Sequence, residues 1–142
     1  MINKHYLAGF VDGEGSISCY KRKDTRTKRG YTINSIFSIA GTNKEILVEL
    51  NQIFKGRIFT DKPNKYFSKA KITHHLQIQD LESIRTLLKL IVDKLVIKQT
   101  QAKLMIEYCN LRIKNKGKSY SDTEIQIAEE ITKLNRRGRE DT

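Results

Sequence analysis

Two carboxylates and three glycines lie together in the stretch HYLAGFVDGEGSIS, residues 5–18. Asp12 and Glu14 follow an apolar, helix-like segment, and a strand begins directly after them. Carboxylates can hold Mg²⁺, which binds one or two of them and completes its shell with phosphate oxygens and water. A carboxylate held beside nucleic acid could therefore support metal-assisted phosphodiester hydrolysis, whereas the ordinary interpretation of Glu14 is an exposed acid near a turn.

The net charge favours a polyanionic partner. The chain of 142 residues contains 27 Lys and Arg against 16 Asp and Glu, which leaves a formal charge of +11. An excess of this size in a small protein favours binding to nucleic acid over a merely soluble basic surface. The length and the 38% hydrophobic content predict one domain, spanning residues 1–142, with an ordinary core.

Two further features predict an intracellular protein. Cys19 and Cys109 lack the Cys-x-x-Cys spacing that would indicate a zinc site or a disulfide framework. The longest apolar run, residues 87–92, is interrupted by Lys89, and the N-terminal segment lacks a basic region followed by an apolar one. We therefore expect no membrane partner, and a location in the cytoplasm or nucleoid of a prokaryote or in an organelle.

The periodicity of apolar residues predicts the element order α-β-β-α-β-β-α-α-α. Asn3 and Asp80 are predicted N-caps, Gly13 and Gly15 are predicted to end the first helix, and Gly56 the second. Helices are expected at residues 4–11, 44–54, 81–90, 98–113 and 122–134, and strands at 16–20, 31–40, 57–62 and 69–79.

This order implies an α+β fold, with one four-stranded antiparallel sheet and helices on one face. We expect a core over about residues 3–113, a helical extension over about 114–135 and a polar tail over 136–142. The charged segment at residues 21–30 forms the tip of the first hairpin, and Pro63 lies in the turn of the second.

The first two strands leave one sheet face polar, because alternate residues share a face and Ile33, Phe37 and Ile39 point the other way. A solvated face is the ordinary outcome, but the net charge and the basic tip favour a nucleic-acid surface. A β-ribbon in the major groove reads base edges with polar side chains, while Lys and Arg bind phosphates. The predicted DNA-binding residues here are Ser16, Ser18, Tyr20, Lys21, Arg22, Lys23, Arg26, Lys28, Arg29, Thr32, Asn34 and Ser38.

The second hairpin is predicted to extend this DNA-binding face. Ile72, Leu76 and Ile78 mark the core side of the fourth strand, so His75 is predicted to face DNA and His74 the helices. A zinc site formed by the two histidines is not expected, because neighbours on a strand diverge. The predicted DNA-binding residues of this hairpin are Arg57, Lys71, Thr73 and His75.

Residues 7–15, LAGFVDGEG, resemble the motif of the LAGLIDADG homing endonucleases, and the order that follows is similar to their core fold with its saddle-shaped sheet. VIKQTQAKL at residues 96–104 resembles the start of the long helix that carries a basic active-site residue in single-motif members. LNRRG at residues 134–138 resembles a late element of the family.

The resemblance implies roles for individual residues. Glu14 stands at the metal-ligand position of the motif, Gly13 is expected to add its backbone carbonyl, and Asp12 is expected to brace the helix end. Lys98 is expected near the scissile phosphate, where it stabilises charge or orients water. Relatives often carry a Gln that positions water at the end of the second strand. Gly41 lies about there in this chain, so Asn43 or Thr42 is left to substitute, and either can cap the next helix.

A second copy of the motif is expected to come from a second chain, because the sequence contains one motif and no internal repeat. Gly9 and Gly13 lie four residues apart on one side of the helix and allow close approach of a second helix. The predicted interface consists of Leu7, Ala8, Gly9 and Gly13. Two Glu14 carboxylates would meet there, with Mg²⁺ shared between two active sites.

The function implied by the resemblance is that of a sequence-specific, Mg²⁺-dependent homing endonuclease. It would act as a homodimer, break both strands of a long pseudo-palindromic DNA site and, as the product of an intron, promote intron mobility. Two alternatives on the same fold are an RNA-binding intron maturase, whose partner is intron RNA, and a catalytically silent DNA-binding regulator. Glu14 favours cleavage, because a protein that only binds gains nothing from an acid placed against phosphate.

Overall fold

The computed structural model describes residues 2–62 and 72–140. The predicted order of helices and strands is confirmed, with one added 3₁₀ turn before the fourth helix. Among the described residues no helix is both long and apolar enough to cross a membrane. The elements are α1 (Lys4–Glu14), β1 (Gly15–Lys23), β2 (Tyr31–Gly41), α2 (Lys44–Ile53), β3 (Gly56–Thr60), β4 (His74–Ile78), α3 (Leu81–Ile91), a 3₁₀ turn (Val92–Lys94), α4 (Gln99–Lys114) and α5 (Asp122–Glu140).

The four strands form one antiparallel sheet in the order β1-β2-β4-β3, as the α+β prediction requires. β1 pairs with β2 along its whole length, whereas β4 pairs only with Phe37–Gly41 of β2. Phe37 and Leu76 of the sheet, Leu87 of α3 and Met105 of α4 are fully buried in a single core cluster. The helices therefore cover one face of the sheet and leave the other face open.

The structure confirms the predicted N-caps Asn3 and Asp80. The Asn3 carboxamide oxygen accepts hydrogen bonds from the backbone N–H groups of His5 and Tyr6, at 2.8 and 3.2 Å. The Asp80 carboxylate accepts one from the backbone N–H of Ser83 at 3.0 Å. Of the two candidates for α2, Asn43 is the cap, since its side chain accepts from the backbone N–H of Glu45 at 3.1 Å.

Several predicted boundaries are wrong, and hydrogen bonding explains each difference. Gly13 does not end α1, which continues through Glu14 until the Gly15 backbone N–H bonds the Val11 carbonyl. Gly56 begins β3 and does not end α2, which is capped at Phe54. β1 continues to Lys23, because its last residues still pair with β2. α5 continues to Glu140, beyond the predicted end at residue 134 and into the predicted tail.

The last helix covers the free edge of β1. The Thr132 hydroxyl donates to the Cys19 carbonyl at 2.7 Å, and the Asn135 carboxamide donates to the Ile17 carbonyl at 2.9 Å. Covering these carbonyls protects an edge strand against pairing with another chain. Asn135 belongs to the LNRRG segment, so that segment has a structural role in this chain.

Candidate active site and nucleic-acid interface

The chain passes from α1 into β1 without a loop, which puts the end of the motif at a sharp corner. Gly15 makes this corner possible, because a Cβ there would lie 2.7 Å from the Val11 carbonyl oxygen and 3.0 Å from the Val11 Cα. Glu14 is the last residue of α1 and is exposed at the corner. The motif therefore presents a carboxylate where the polar face of the sheet begins.

Asp12 holds the segment before α4 against the end of α1. Its carboxylate accepts hydrogen bonds from the backbone N–H groups of Val96, Ile97 and Lys98, at 2.7, 3.1 and 3.0 Å. The Lys98 ammonium group donates to the Asp12 carbonyl oxygen at 2.7 Å. Asp12 thus positions Lys98. Because Asp12 lies two residues before Glu14, Lys98 is held near the end of the motif. The contacts of Asp12 extend beyond the predicted brace of its own helix end.

Glu14 and Gly13 differ from Asp12 in being open to solvent. Among the described residues no hydrogen bond or ion pair involves the Glu14 side chain, and no group of three or more His, Cys, Asp or Glu side chains is arranged to hold a metal ion. The last carbonyls of a helix also lack partners within the helix. The Glu14 carboxylate and the Gly13 carbonyl are hard oxygen donors of the kind that Mg²⁺ prefers. One chain supplies too few donors for a closed site.

The outer side of α1 is open where the sequence predicted a helix contact. A Cβ placed at Gly9 or at Gly13 would meet no atom within 4 Å. Leu7 and Ala8, also predicted interface residues, are 4% and 2% exposed, because their side chains pack into the core of their own subunit. They are not available to a second chain, so this part of the interface prediction is corrected to the two glycines.

The strand register confirms the predicted sharing of one polar sheet face. Ser16 is opposite Ser38, Tyr20 is opposite Asn34, and Arg22 is opposite Thr32. The remaining pair on this face of β1 and β2 is Ser18 with Ile36, and the same face continues through β4 and β3 with His75, Gln77, Arg57 and Phe59. Polar side chains from all four strands therefore form one continuous surface.

Some side chains of this surface are already hydrogen-bonded to one another. The Asn34 carboxamide donates to the Tyr20 hydroxyl at 3.3 Å. The Arg57 guanidinium donates to the Gln77 carboxamide oxygen at 3.2 Å and lies 5.1 Å from the centre of the Phe59 ring. Such pairing limits the orientations of the side chains before any ligand binds.

The two histidines face opposite sides, with His75 on the polar face as predicted. Its ring stacks on Phe59 with centroids 4.8 Å apart, and its Nε2 lies 2.9 Å from an Asp61 carboxylate oxygen. His74 instead bonds the Thr60 hydroxyl through Nδ1 at 2.9 Å. The Thr73 carbonyl accepts from the backbone N–H of Asp61. Lys71 and Pro63 lie outside the described residues.

The basic hairpin tip is more ordered than a free loop, and two predicted phosphate contacts are affected. The Lys21 ammonium group donates to a Glu129 carboxylate oxygen at 3.0 Å and lies over the Tyr31 ring, so Lys21 is engaged with its own subunit. The hydrogen bond to Glu129 raises the pKa of Lys21. Lys23 ends β1 on the helix side of the sheet, as its register with Tyr31 requires.

The remaining cationic residues of the tip, Arg26, Lys28 and Arg29, stay exposed. Arg26 donates to both oxygens of the Asp24 carboxylate, at 3.0 and 3.2 Å, and these bonds lower the pKa of Asp24. The Arg29 guanidinium donates to the Tyr120 carbonyl at 2.7 Å, which ties the tip to the loop between α4 and α5. Lys28 is exposed beside them. The tip therefore presents its cations in a fixed arrangement.

Thr42 and Asn43 both remain candidates for the predicted water-positioning role. Gly41 shares the helix side of the sheet, where an added Cβ would lie 3.1 Å from the Phe10 ring, so this position points away from the polar face. The Asn43 oxygen is used as the cap of α2, which leaves its amide nitrogen available. Thr42 is exposed at the end of β2.

A family model for the LAGLIDADG endonucleases matches residues 7–91, which include the motif helix, the whole sheet and α3. The chain belongs to the LAGLIDADG endonuclease family. Its motif is LAGFVDGEG, and the helices and strands described above are those of the family fold.

Solved structures with similar folds are LAGLIDADG endonucleases. The archaeal intron-encoded homing endonuclease I-Vdi141I, complexed with DNA, superposes with a TM-score of 0.73 at 20% identity, covering 92% of this chain and 82% of that chain. I-CvuI, in complex with a DNA target in the presence of magnesium, gives a TM-score of 0.69 at 20% identity, with coverages of 92% and 80%. The meganuclease I-SmaMI, bound to DNA, gives 0.65 at 20% identity, and this chain covers 43% of it.

A search of curated protein sequences finds no match. At the identities above, the structural likeness shows the LAGLIDADG fold alone. The roles of individual residues therefore depend on the geometry of this chain.

The sequence did not predict that three apolar residues on or beside the LAGLIDADG helix would be exposed. Val96 is 84% exposed and Ile97 71% exposed, and both are held at the end of α1 by their bonds to Asp12. Tyr6, 54% exposed, lies on the outer side of α1 with its ring 6.2 Å from that of Phe10. An apolar side chain is predicted to be buried by default, so no signal in the sequence distinguished them.

Proposed function

We propose that the protein is a homing endonuclease that cuts both strands of a long, pseudo-palindromic DNA site as a homodimer. The observation that carries this proposal is the position of Glu14. Its carboxylate is exposed, has no partner among the described residues, and stands at the corner between α1 and a continuous polar sheet face. A free acid beside a nucleic-acid surface serves cleavage, since it would only oppose simple binding.

The DNA surface in this proposal is the polar face of the four strands. Tyr20, Arg22, Asn34 and Gln77 are candidates for contacts with base edges, because each presents hydrogen-bonding groups on that face. Arg26, Lys28 and Arg29 at the tip supply phosphate contacts. The formal charge of +11 supports attraction of a polyanion of this size.

The homodimer is supported by the open side of α1. Two helices can approach closely at Gly9 and Gly13, and exposed apolar side chains are available on α1 at Tyr6 and beside its end at Val96 and Ile97. This chain covers less than half of the DNA-bound I-SmaMI, so that protein is long enough to contain two units of this size. In a two-fold dimer the two Glu14 residues approach each other across the symmetry axis.

The metal in this proposal is a divalent cation, Mg²⁺ in the first instance. Glu14 and the Gly13 carbonyl would hold it together with the partner's Glu14, and DNA phosphate oxygens would complete the oxygen shell. When bound, the cation supplies an activated water and stabilises the leaving oxygen. The Lys98 ammonium group, hydrogen-bonded to the Asp12 carbonyl two residues before Glu14, would stabilise charge on the phosphate or orient the attacking water.

The decisive experiment uses the uninterrupted form of the gene that flanks the reading frame of the protein. With this DNA and Mg²⁺, we expect the wild type to make one double-strand break. Glu14→Gln should lower the rate on the order of 10³-fold or more, because it removes the charge that holds the cation. Glu107→Gln is the matched control, an exposed carboxylate on α4 whose loss should leave the rate unchanged.

Three results would contradict the proposal in different ways. A Glu14→Gln variant that cuts as fast as wild type would remove the metal assignment. A wild type that cuts no such DNA but binds the intron transcript tightly would be a maturase. A wild type that binds the DNA and never cuts it would be a regulator.

A further inference from the structure

A cavity of about 890 Å³ lies beside the hairpin tip and adjoins the surface already described. Its walls come from the tip and the start of β2, from Lys55 between α2 and β3, from residues 79–82 at the start of α3, and from the end of α4 with the loop that leads to α5. Most side chains in these walls are polar or charged, so the cavity suits a polar ligand.

The cavity exists because β2 is paired on one side only in its first half. β4 begins to pair with β2 at Phe37, and after Ile78 the chain turns away into α3. The start of β2 is therefore left without a strand on that side, and its residues Tyr31 and Thr32 line the cavity. Thr32 of the polar sheet face lies in its wall, so the cavity opens next to the proposed DNA surface.

Positive charge dominates the lining. Among the described residues that line it, Asp80 and Glu82 are the only acidic ones, and the Asp80 carboxylate accepts from the hydroxyl and the backbone N–H of Ser83. These bonds, assisted by the nearby Lys55 and Lys116, lower the pKa of Asp80. The cationic side chains of the lining are Lys28, Arg29, Lys55, Arg112, Lys116 and Lys118.

The wall formed by the loop between α4 and α5 is held in place by Arg112. Its guanidinium donates to the carbonyls of Asn115 and Lys118, lies 3.3 Å from a carboxylate oxygen of the buried Glu124, and covers the Tyr120 ring at 4.7 Å. Burial raises the pKa of Glu124, but the Ser121 bonds, Arg112 and Asn115 together lower it, so Glu124 remains an anion for Arg112.

The same loop is fixed to the sheet through Tyr120. Its hydroxyl accepts a hydrogen bond from the backbone N–H of Ile33 at 3.0 Å, and its carbonyl accepts from Arg29 at 2.7 Å. The loop lysines are therefore carried on an anchored backbone beside the edge of β2. An arrangement that is ordered before binding loses less entropy when a ligand arrives.

We propose that this cavity binds backbone phosphates of the DNA duplex, beyond the segment whose bases the sheet contacts, through Lys55, Lys116 and Lys118. The inference rests on the proposed function, because a duplex bound on the polar face would lie beside Thr32, which is shared by that face and the cavity wall. The proposal adds three lysines, from parts of the chain distant from the tip, to the phosphate contacts predicted for the tip. A phosphodiester suits the lining, since Lys and Arg bind phosphate oxygens without regard to base sequence.

The test measures the salt dependence of duplex binding in EDTA, by fluorescence anisotropy with a labelled DNA duplex of mixed sequence. The cavity variant carries Lys55→Gln, Lys116→Gln and Lys118→Gln. The matched control carries Lys89→Gln, Lys103→Gln and Lys133→Gln, three exposed lysines on α3, α4 and α5. Both variants lose the same net charge, and all six side chains are exposed, so circular dichroism should report the wild-type fold for each.

In a homodimer each substitution occurs twice, so the loss of two or three phosphate contacts per subunit should reduce the slope of log K against log salt by about 3.6 to 5.4. At about 0.1 M salt, that reduction corresponds to binding weaker by roughly 4 × 10³- to 3 × 10⁵-fold. The control variant should show much smaller losses of salt slope and of affinity, because a change in net charge alone acts at a distance through a screened field.

Three other outcomes of the binding experiment would each contradict the cavity proposal in a different way. If wild type binds the duplex but the two variants have equal slopes, the cavity proposal is overturned while the proposed function stands. If the cavity variant loses affinity only for single-stranded RNA of the same length, the cavity takes RNA and the proposal for DNA is wrong. If wild type binds no duplex DNA under any salt condition, both the cavity proposal and the proposed function fail.

Discussion

The two sides of α1 are made by the same short helix and are used in different ways. On the inner side Leu7, Ala8 and Val11 are almost completely buried against the sheet and the other helices. On the outer side Gly9 and Gly13 face open space. The inner side holds the subunit together, and the outer side is available to something outside it.

The two acids at the end of the helix repeat this difference. Asp12 accepts three backbone hydrogen bonds and keeps the segment before α4 in place, whereas the Glu14 side chain has no such partner among the described residues. Residue type is nearly the same at the two positions. Hydrogen bonding and exposure therefore distinguish a residue that maintains the fold from one that is free to bind a ligand.

The largest effect should come from closing the outer side with Gly9→Leu. A Cβ there would meet no atom of the described residues within 4 Å, and the leucine side chain would fill the space that a second helix would occupy, once in each subunit. Overpacking costs about 1–3 kcal/mol per site, so dimerisation should weaken on the order of 10²- to 10⁴-fold. Light scattering after size-exclusion chromatography at micromolar concentration would show a folded monomer in place of a dimer.

The control for this experiment is Gln126→Leu, which adds the same side chain at an exposed position of α5 and should leave the dimer intact. A wild-type protein that stays monomeric at this concentration, with or without DNA, would contradict the two-fold site. So would a Gly9→Leu variant that remains dimeric.

A smaller effect is expected from Asp12→Asn on the inner side. Asparagine keeps one acceptor oxygen but places an amide N–H₂ toward the backbone N–H groups of residues 96–98, so about 2 kcal/mol of unfolding free energy should be lost. Chemical denaturation of purified protein would measure it. Asp93→Asn is the matched control, because this exposed carboxylate makes only a surface ion pair with Lys94 and should change stability by less than about 0.5 kcal/mol.

Equal stability losses in the two variants would show that the Asp12 bonds are dispensable to the fold. A second measurement separates folding from positioning. Since the Asp12 carboxylate also accepts from the backbone N–H of Lys98, cleavage by the folded Asp12→Asn protein should fall relative to Asp93→Asn.

Local patterns in the sequence predicted much of the fold. N-caps such as Asn3 and Asp80 act on N–H groups two or three residues away, so they can be found without a structure. Strand parity is also local, since a period of two fixes which side chains share a face. His75 was therefore correctly assigned to the polar face together with Thr32 and Asn34.

Features that depend on distant parts of the chain were not predictable. The partners of Asp12 lie 84 to 86 residues away, and α5 covers β1 from more than 110 residues away. Which side of α1 would be buried was also hidden, because Leu7, Ala8, Phe10 and Val11 surround much of the helix with apolar groups. Only the packing of the sheet and the other helices decides that Leu7 and Ala8 face inward.

The smallest effect should come from Arg22→Ala on the open face of the sheet. Arg22 is exposed opposite Thr32 and takes no part in the core, so the variant should keep the wild-type unfolding free energy within about 0.5 kcal/mol. Its effect should appear in base preference, as a loss of about 1 kcal/mol of discrimination at one symmetric pair of positions. Selection of bound sites from a randomised duplex library would measure this. Lys28→Ala, a change at the tip, should weaken all sequences alike and leave the selected site unchanged. If Arg22→Ala and Lys28→Ala have the same effect on every sequence, the sheet face contacts phosphates only, and the bases are read by other residues.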